Sequence, residues 1–127
     1  MVIDKVLLVD DEEDIRTIGE IALAEFGGWK VELASSGDQA LDSVARATPD
    51  LILLDVMMPG MDGPKTFERL REAPETAGIP VIFMTAKVQK HEVERYMALG
   101  AAGVIAKPFD PVTLPEEIRK IIATPPP

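Results

Sequence analysis

Leu51-Ile52-Leu53-Leu54 runs without interruption into Asp55, and Met57-Met58-Pro59-Gly60 turns the chain immediately afterwards. An unbroken apolar run bounded by turn residues reads as a strand covered on both faces, because a half-exposed strand would alternate. Asp55 then stands at the carboxyl end of that strand. In open parallel α/β sheets this is the edge where ligands bind. Taken alone, Asp55 is also readable as a cap for the following turn, a position aspartate favours.

The same pattern recurs along the chain. Lys5-Val6-Leu7-Leu8-Val9 ends in the acidic run Asp10-Asp11-Glu12-Glu13-Asp14. Ile15, Ile18, Ala22 and Phe26 predict a helix with one apolar face, stopped at Gly27-Gly28. Acidic residues in its first turn complement the helix dipole, so part of that run has a structural explanation. Trp29–Ala34 alternates and predicts a strand nearer an edge. Ser35–Asp38 reads as a turn, and Ala40, Leu41, Val44 and Ala45 mark a second helix closed by Thr48-Pro49. Beyond Asp55, Asp62 is a cap for a helix over Lys65–Ala73, with Pro64 tolerated in its first turn. Pro74–Gly78 reads as a loop. Ile79–Met84 is a further buried strand that leads into Thr85-Ala86-Lys87. Lys90–Leu99 is helical and stops at Gly100. Ala102–Ala106 is the last strand and runs into Lys107-Pro108-Phe109. Pro115 cannot sit inside a helix, so the final helix is expected to start near it, after a separate turn at Asp110–Val112. Strand and helix alternate five times, which specifies a parallel sheet with helices on both faces.

With 127 residues the chain is expected to form one domain over residues 1–123, followed by a proline-rich tail or linker start at 124–127. The absence of cysteine excludes disulfides, thiolate metal sites and a cysteine nucleophile. The net charge of −9 argues against the basic footprint of a direct nucleic-acid binder. No apolar run approaches a membrane span, and the first residues lack the pattern of a signal peptide, so a cytoplasmic location is expected.

The strand ends carry the chemistry. One strand ends in Asp10-Asp11, another in Asp55, another in Thr85 and the last in Lys107. Right-handed crossovers bring all carboxyl ends of a parallel sheet to one edge. Converging carboxylates need a cation, and oxygen donors select Mg²⁺ or a similar hard ion; a main-chain carbonyl just past Asp55 could add a ligand. A lysine opposite them supplies the point charge that a phosphoryl oxygen seeks, and a threonine hydroxyl can donate to another. Asp55 is then placed to attack phosphorus, a reaction that needs positioning and charge neutralisation more than an acid or base. Each residue also has a plainer reading, as a helix cap or a solvated charge. His91, the single histidine, reads as a surface residue. Gly27-Gly28 lacks the context of a phosphate loop, and the carboxylates after the first strand would repel a flavin phosphate.

Val6–Asp11, Asp50–Gly63, Pro80–Ala86 and Gly100–Phe109 together resemble the receiver domain of two-component response regulators, over nearly the whole chain. The resemblance implies a flavodoxin-like five-stranded parallel sheet of order 2-1-3-4-5, helices on both faces. It implies that Asp55 is the phosphoacceptor, served by a histidine kinase or phosphotransfer protein. It implies that Asp11, Asp55 and the Met57 carbonyl bind Mg²⁺ directly, with Asp10 acting mostly through water. Thr85 would move onto the phosphoryl group, Lys107 would pair with it, and the Lys107-Pro108 bond would be cis. Ala86 is small, as the family requires. The implied role is not that of an enzyme beyond self-phosphorylation and self-dephosphorylation. The implied output is a surface of the fourth helix, fifth strand and last helix, read by a downstream protein or a fused output domain.

One position departs from the family. Three residues before the lysine, where a Tyr or Phe is usual, stands Val104. Coupling of threonine to a swinging ring is therefore not expected in its usual form, and Tyr96 cannot simply be assigned that role. The change would instead run through the Thr85–Lys90 loop and fourth helix, or a partner would read the phosphate directly. A receiver-like scaffold that works without phosphorylation is the alternative. Val104 motivates it, and the intact Asp10, Asp11, Asp55, Thr85 and Lys107 weigh against it.

Overall fold

The computed structural model describes residues 2–123. The expected tail at 124–127 lies outside the described residues. Five strands alternate with helices: β1 (Lys5–Val9), α1 (Glu13–Ile21), β2 (Lys30–Ala34), α2 (Gly37–Arg46), β3 (Leu51–Asp55), α3 (Gly63–Glu72), α4 (Pro74–Ala77), β4 (Val81–Thr85), α5 (Lys90–Leu99), β5 (Gly103–Ala106) and α6 (Leu114–Ala123). All pairings are parallel and the order is β2-β1-β3-β4-β5. The expected architecture and strand order are borne out.

The period of two along each strand divides the core. Leu7, Val9, Ile52, Leu54, Val81 and Phe83 face α2, α3 and α5, where they meet Ala40, Val44, Phe67, Leu70 and Tyr96. Val6, Leu8, Leu51, Leu53, Ile82 and Met84 face the other way, onto Ala22, Leu23, Leu114 and Ile118. β1, β3 and β4 are therefore covered on both sides, which is why their sequences do not alternate. β2 pairs only with β1, and its outer positions are exposed, as its alternation predicts.

Several local expectations need correction. Ile18 and Phe26, assigned to the inner face of α1, are 43% and 54% exposed. The inner face is Gly19, Ala22 and Leu23. An apolar count cannot see Gly19, which packs so closely on Leu8 that a Cβ would overlap the leucine Cδ2. After Ile21 the helix widens into a π-helical turn over Ala22–Phe26, with Gly27 N–H bonded to the Ala22 carbonyl at 3.1 Å. One extra residue per turn swings Phe26 away from the sheet. Ala45 of α2 is likewise exposed, and Ser43 is buried in its place. The turn at Ser35–Asp38 is already the start of α2: Ser36 Oγ accepts the Gln39 N–H, and Gln39 Oε1 accepts the Ser35 N–H. The segment read as a loop after α3 holds one helical turn, α4, with Pro74 at its first position.

Other punctuation is as expected. Asp62 caps α3 by accepting the Lys65 N–H at 2.9 Å, and Gly100 ends α5 with φ of 108°. α6 starts at Leu114, after a turn in which Asp110 Oδ1 accepts the Val112 N–H. His91 is exposed. Asp50 ties the start of β3 to that of β1 by accepting the N–H groups of Asp4 and Lys5, and these bonds hold its carboxyl below the usual carboxylate range.

Gly63 fixes the loop that follows β3. Its N–H donates to the Val56 carbonyl at 2.9 Å, and a Cβ there would press into the Asp55 carbonyl and sit 2.8 Å from Val56 Cα. Backbone cannot yield as a side-chain tip does. Gly63→Ala is expected to cost about 1–3 kcal/mol, which lowers the melting temperature by several degrees. Gly78, whose Cβ would meet nothing within 4 Å, is the matched control. Gly78→Ala should leave the melting temperature unchanged or slightly raised.

Candidate functional site

β1 and β3 are adjacent and in register, with Val9 opposite Leu54, so the residues that follow, Asp10 and Asp55, emerge side by side at the carboxyl edge. Both are buried, and Asp11 beside them is exposed. One carboxylate oxygen from each of Asp10, Asp11 and Asp55 lies within 4.8 Å of the others. The β5 end contributes Lys107, whose Nζ lies 2.9 Å from Asp10 Oδ2 and 3.3 Å from Asp55 Oδ1. Glu12 Oε1 stands 3.9 Å from the same nitrogen. The Lys107-Pro108 peptide bond is cis, as expected.

Asp10 is held on every polar atom. Its N–H donates to the Ala34 carbonyl at 3.1 Å, and its own carbonyl accepts Arg16 Nη1 at 2.8 Å. Oδ1 accepts the Glu12 N–H at 2.9 Å, and Oδ2 accepts Lys107 Nζ. Both carboxylate oxygens are thus committed to protein donors. Asp11 is the more open carboxylate of the pair.

Thr85 occupies the end of β4, between the ends of β3 and β5. It is buried, its carbonyl accepts the Lys107 N–H at 2.9 Å, and its hydroxyl oxygen accepts the Lys87 N–H at 3.0 Å. The hydroxyl is therefore engaged with the following loop. Met57 stands in the turn after β3 and is 69% exposed. Ala86 is exposed at the edge. The fold brings Asp10, Asp11, Asp55 and Lys107 into one cluster and sets Thr85 on the same edge. Glu12 and Arg16 were not singled out from the sequence. The signal for Arg16 was available: it is the single base of α1, two residues past a run of five consecutive acidic residues.

The electrostatics follow from burial. Desolvation raises the Asp55 carboxyl, the Asp10 charge adds to that, and Lys107 opposes both, leaving it at about 6. Burial lowers the Lys107 ammonium, but the hydrogen bond and charge of Asp10, with the charge of Asp55, outweigh it and hold it above the ordinary lysine value. Three carboxylates against one ammonium leave about two uncompensated negative charges in a partly buried site. An all-oxygen donor set with that deficit fits a hard divalent cation.

At the departing position, Val104 is half-buried opposite Phe83 in the β4–β5 pairing. Phe83 packs at a tilt against Phe67 and Tyr96, with 5.5 Å and 5.1 Å between ring centroids. The aromatic contacts beside Val104 therefore come from β4 and the helices.

Residues 6–119 match the response regulator receiver domain. The chain belongs to the response regulator receiver family. It is 34% identical over 117 residues to response regulator Rre1 of Synechocystis sp., covering 92% of this chain and 51% of that protein. It is 38% identical over 118 residues to response regulator PleD of Caulobacter vibrioides, covering 92% of this chain and 26% of that protein. Over 123 residues it is 37% identical to sporulation initiation phosphotransferase F of Bacillus subtilis, covering 96% of each. The structure of the chemotaxis response regulator CheY4 of Vibrio cholerae superposes with a TM-score of 0.87 at 32% identity, covering 94% of this chain and 99% of that one. The receiver thus spans about half or less of some relatives and nearly all of another. Among its described residues no helix is long and apolar enough to cross a membrane.

A receiver with this cluster carries a stability cost at its own site. Asp55→Asn removes the carboxylate that burial and Asp10 disfavour, and leaves Lys107 its shorter contact to Asp10. In metal-free buffer at pH 7, scanning calorimetry should show the variant stabilised by on the order of 1 kcal/mol, a rise of a few degrees in melting temperature.

Proposed function

We propose that Asp55 is the phosphoacceptor of this receiver. It takes a phosphoryl group from a phosphohistidine of a sensor kinase or phosphotransfer protein in a Mg²⁺-dependent reaction. The observation that carries the reading is the Lys107 ammonium lying between Asp10 and Asp55 at the sheet edge. A carboxylate buried beside a fixed ammonium is oriented before any donor arrives, and phosphoryl transfer rewards positioning of this kind.

In the transfer, an Asp55 oxygen forms a bond to phosphorus as the phosphorus–nitrogen bond to the donor imidazole breaks. The imidazole leaves and takes a proton from solvent. Lys107 remains protonated and pairs with a phosphoryl oxygen. Thr85 reaches another phosphoryl oxygen once its hydroxyl turns from the Lys87 N–H. Asp11, Asp55 and the Met57 carbonyl would hold Mg²⁺, with Asp10 acting through water because both its oxygens have protein donors. The bound cation supplies charge neutralisation as the phosphoryl group approaches three carboxylates.

The receiver domain is assigned residues 1–123, with a cytoplasmic location. Its own chemistry is limited to self-phosphorylation and self-dephosphorylation. Its output is a partner-binding surface on α5, β5 and α6, read by a downstream protein or a fused output domain. A relative of nearly equal length is named a phosphotransferase, which supports a relay of phosphoryl groups. The scaffold reading draws only on Val104.

Incubation with acetyl phosphate and Mg²⁺, followed by intact-mass spectrometry, should show one phosphoryl group per chain. The adduct should be absent with chelator and in Asp55→Asn. A persistent adduct in that variant contradicts the assignment.

A further inference from the structure

We propose that Arg16 is a positioning residue for the cation site: it fixes the peptide plane between Asp10 and Asp11. The proposal rests on the reading of the acidic cluster as the Mg²⁺ site.

The β1–α1 connection is three residues long, Asp10-Asp11-Glu12. The Asp10 carbonyl belongs to the peptide that joins Asp10 to Asp11. Arg16 Nη1 donates to that carbonyl at 2.8 Å from the first half of α1. On the far side of Asp11, the Glu12 N–H is held by Asp10 Oδ1 at 2.9 Å. The exposed Asp11 is thus suspended between two anchored peptide groups, one clamped by Arg16 and the other by Asp10. Glu12, at the amino end of α1, makes no side-chain cap bond to steady the connection. Arg16 is half-buried and is the single base of α1.

The two roles open to Arg16 predict opposite signs. A cation near the site repels Mg²⁺, so if Arg16 were only a neighbouring charge, its removal would tighten Mg²⁺ binding. If it positions Asp11, its removal loosens the donor set and weakens binding. Groups that orient metal ligands without touching the metal typically change affinity 10–100-fold.

The test uses isothermal titration of the full chain with MgCl₂ for wild type, Arg16→Met, Arg16→Gln and Arg16→Lys. Methionine and glutamine both remove the clamp, and lysine keeps a donor and the charge. Expected are roughly tenfold weaker Mg²⁺ binding for Arg16→Met and Arg16→Gln and a smaller loss for Arg16→Lys. The metal-free melting temperatures should remain close to wild type. Equal or tighter binding in the methionine and glutamine variants overturns the proposal. Amide hydrogen exchange of the metal-free proteins separates this outcome from failure of the Mg²⁺ reading. Exchange at the Glu12 amide, which donates to Asp10 Oδ1, should speed up selectively in Arg16→Gln, and unchanged exchange there also overturns the proposal. Wild-type protein that binds no Mg²⁺, with exchange at the Glu12 amide still dependent on Arg16, would count against the metal assignment and leave the clamp standing.

Discussion

Lys107 reaches from the end of β5, past β4, to Asp55 on β3 and Asp10 after β1, and one half-buried ammonium thereby joins both halves of the sheet edge. Without it, two adjacent buried carboxylates would have no internal counter-charge. With it, the cluster still lacks positive charge. The balance leaves Asp55 ionisable but raised, at about 6. A site left in this state has the donors and the charge deficit that suit a cation. The lysine neutralises part of the charge and aligns Asp55, and the remaining deficit is what a dication would fill.

This arrangement depends on backbone geometry more than on local side-chain packing. Parallel pairing in the order β2-β1-β3-β4-β5 puts β1 and β3 side by side at the centre. The doubly covered apolar runs fix their register, since a one-residue slip would exchange the two core faces. Gly63 presses onto the backbone of Asp55 and Val56 from one side, and Asp10 is held on all its polar atoms from the other. Asp55 therefore sits at the end of a doubly covered strand, between a tight glycine-closed loop and a tethered acidic connection.

The strands and the strand-end residues were legible in the sequence because buried parallel strands leave a signal that needs no context. Unbroken runs such as Val6–Val9 and Leu51–Leu54 admit few other readings, and the polar residue that ends each run marks the edge. The inner face of α1 was not legible. It is set by Gly19, which carries no side chain, and by a π-helical turn that shifts Phe26 outward. Hydropathy counts neither. Glu12 and Arg16 were missed because their contacts are to a lysine far along the chain and to a main-chain carbonyl. The departure at Val104 was visible at once, but its surroundings required the fold: Phe83 lies opposite it, between Phe67 and Tyr96. Tyr96 is the one buried residue of α5, so that helix is pinned to the sheet by a single ring. Phe83, two residues before Thr85 on the same strand, meets Tyr96 of α5 directly, and that contact does not involve position 104.

The central claim is that phosphorus bonds to Asp55 and to no other carboxylate in the cluster. An acyl phosphate is reduced by borohydride to a primary alcohol, which turns the modified aspartate into homoserine. Phosphorylated protein treated in this way, digested and sequenced by mass spectrometry, should carry homoserine at position 55, with Asp10 and Asp11 intact. Homoserine at position 10 or 11, or a stable phosphoryl adduct that borohydride leaves unchanged, would contradict the account.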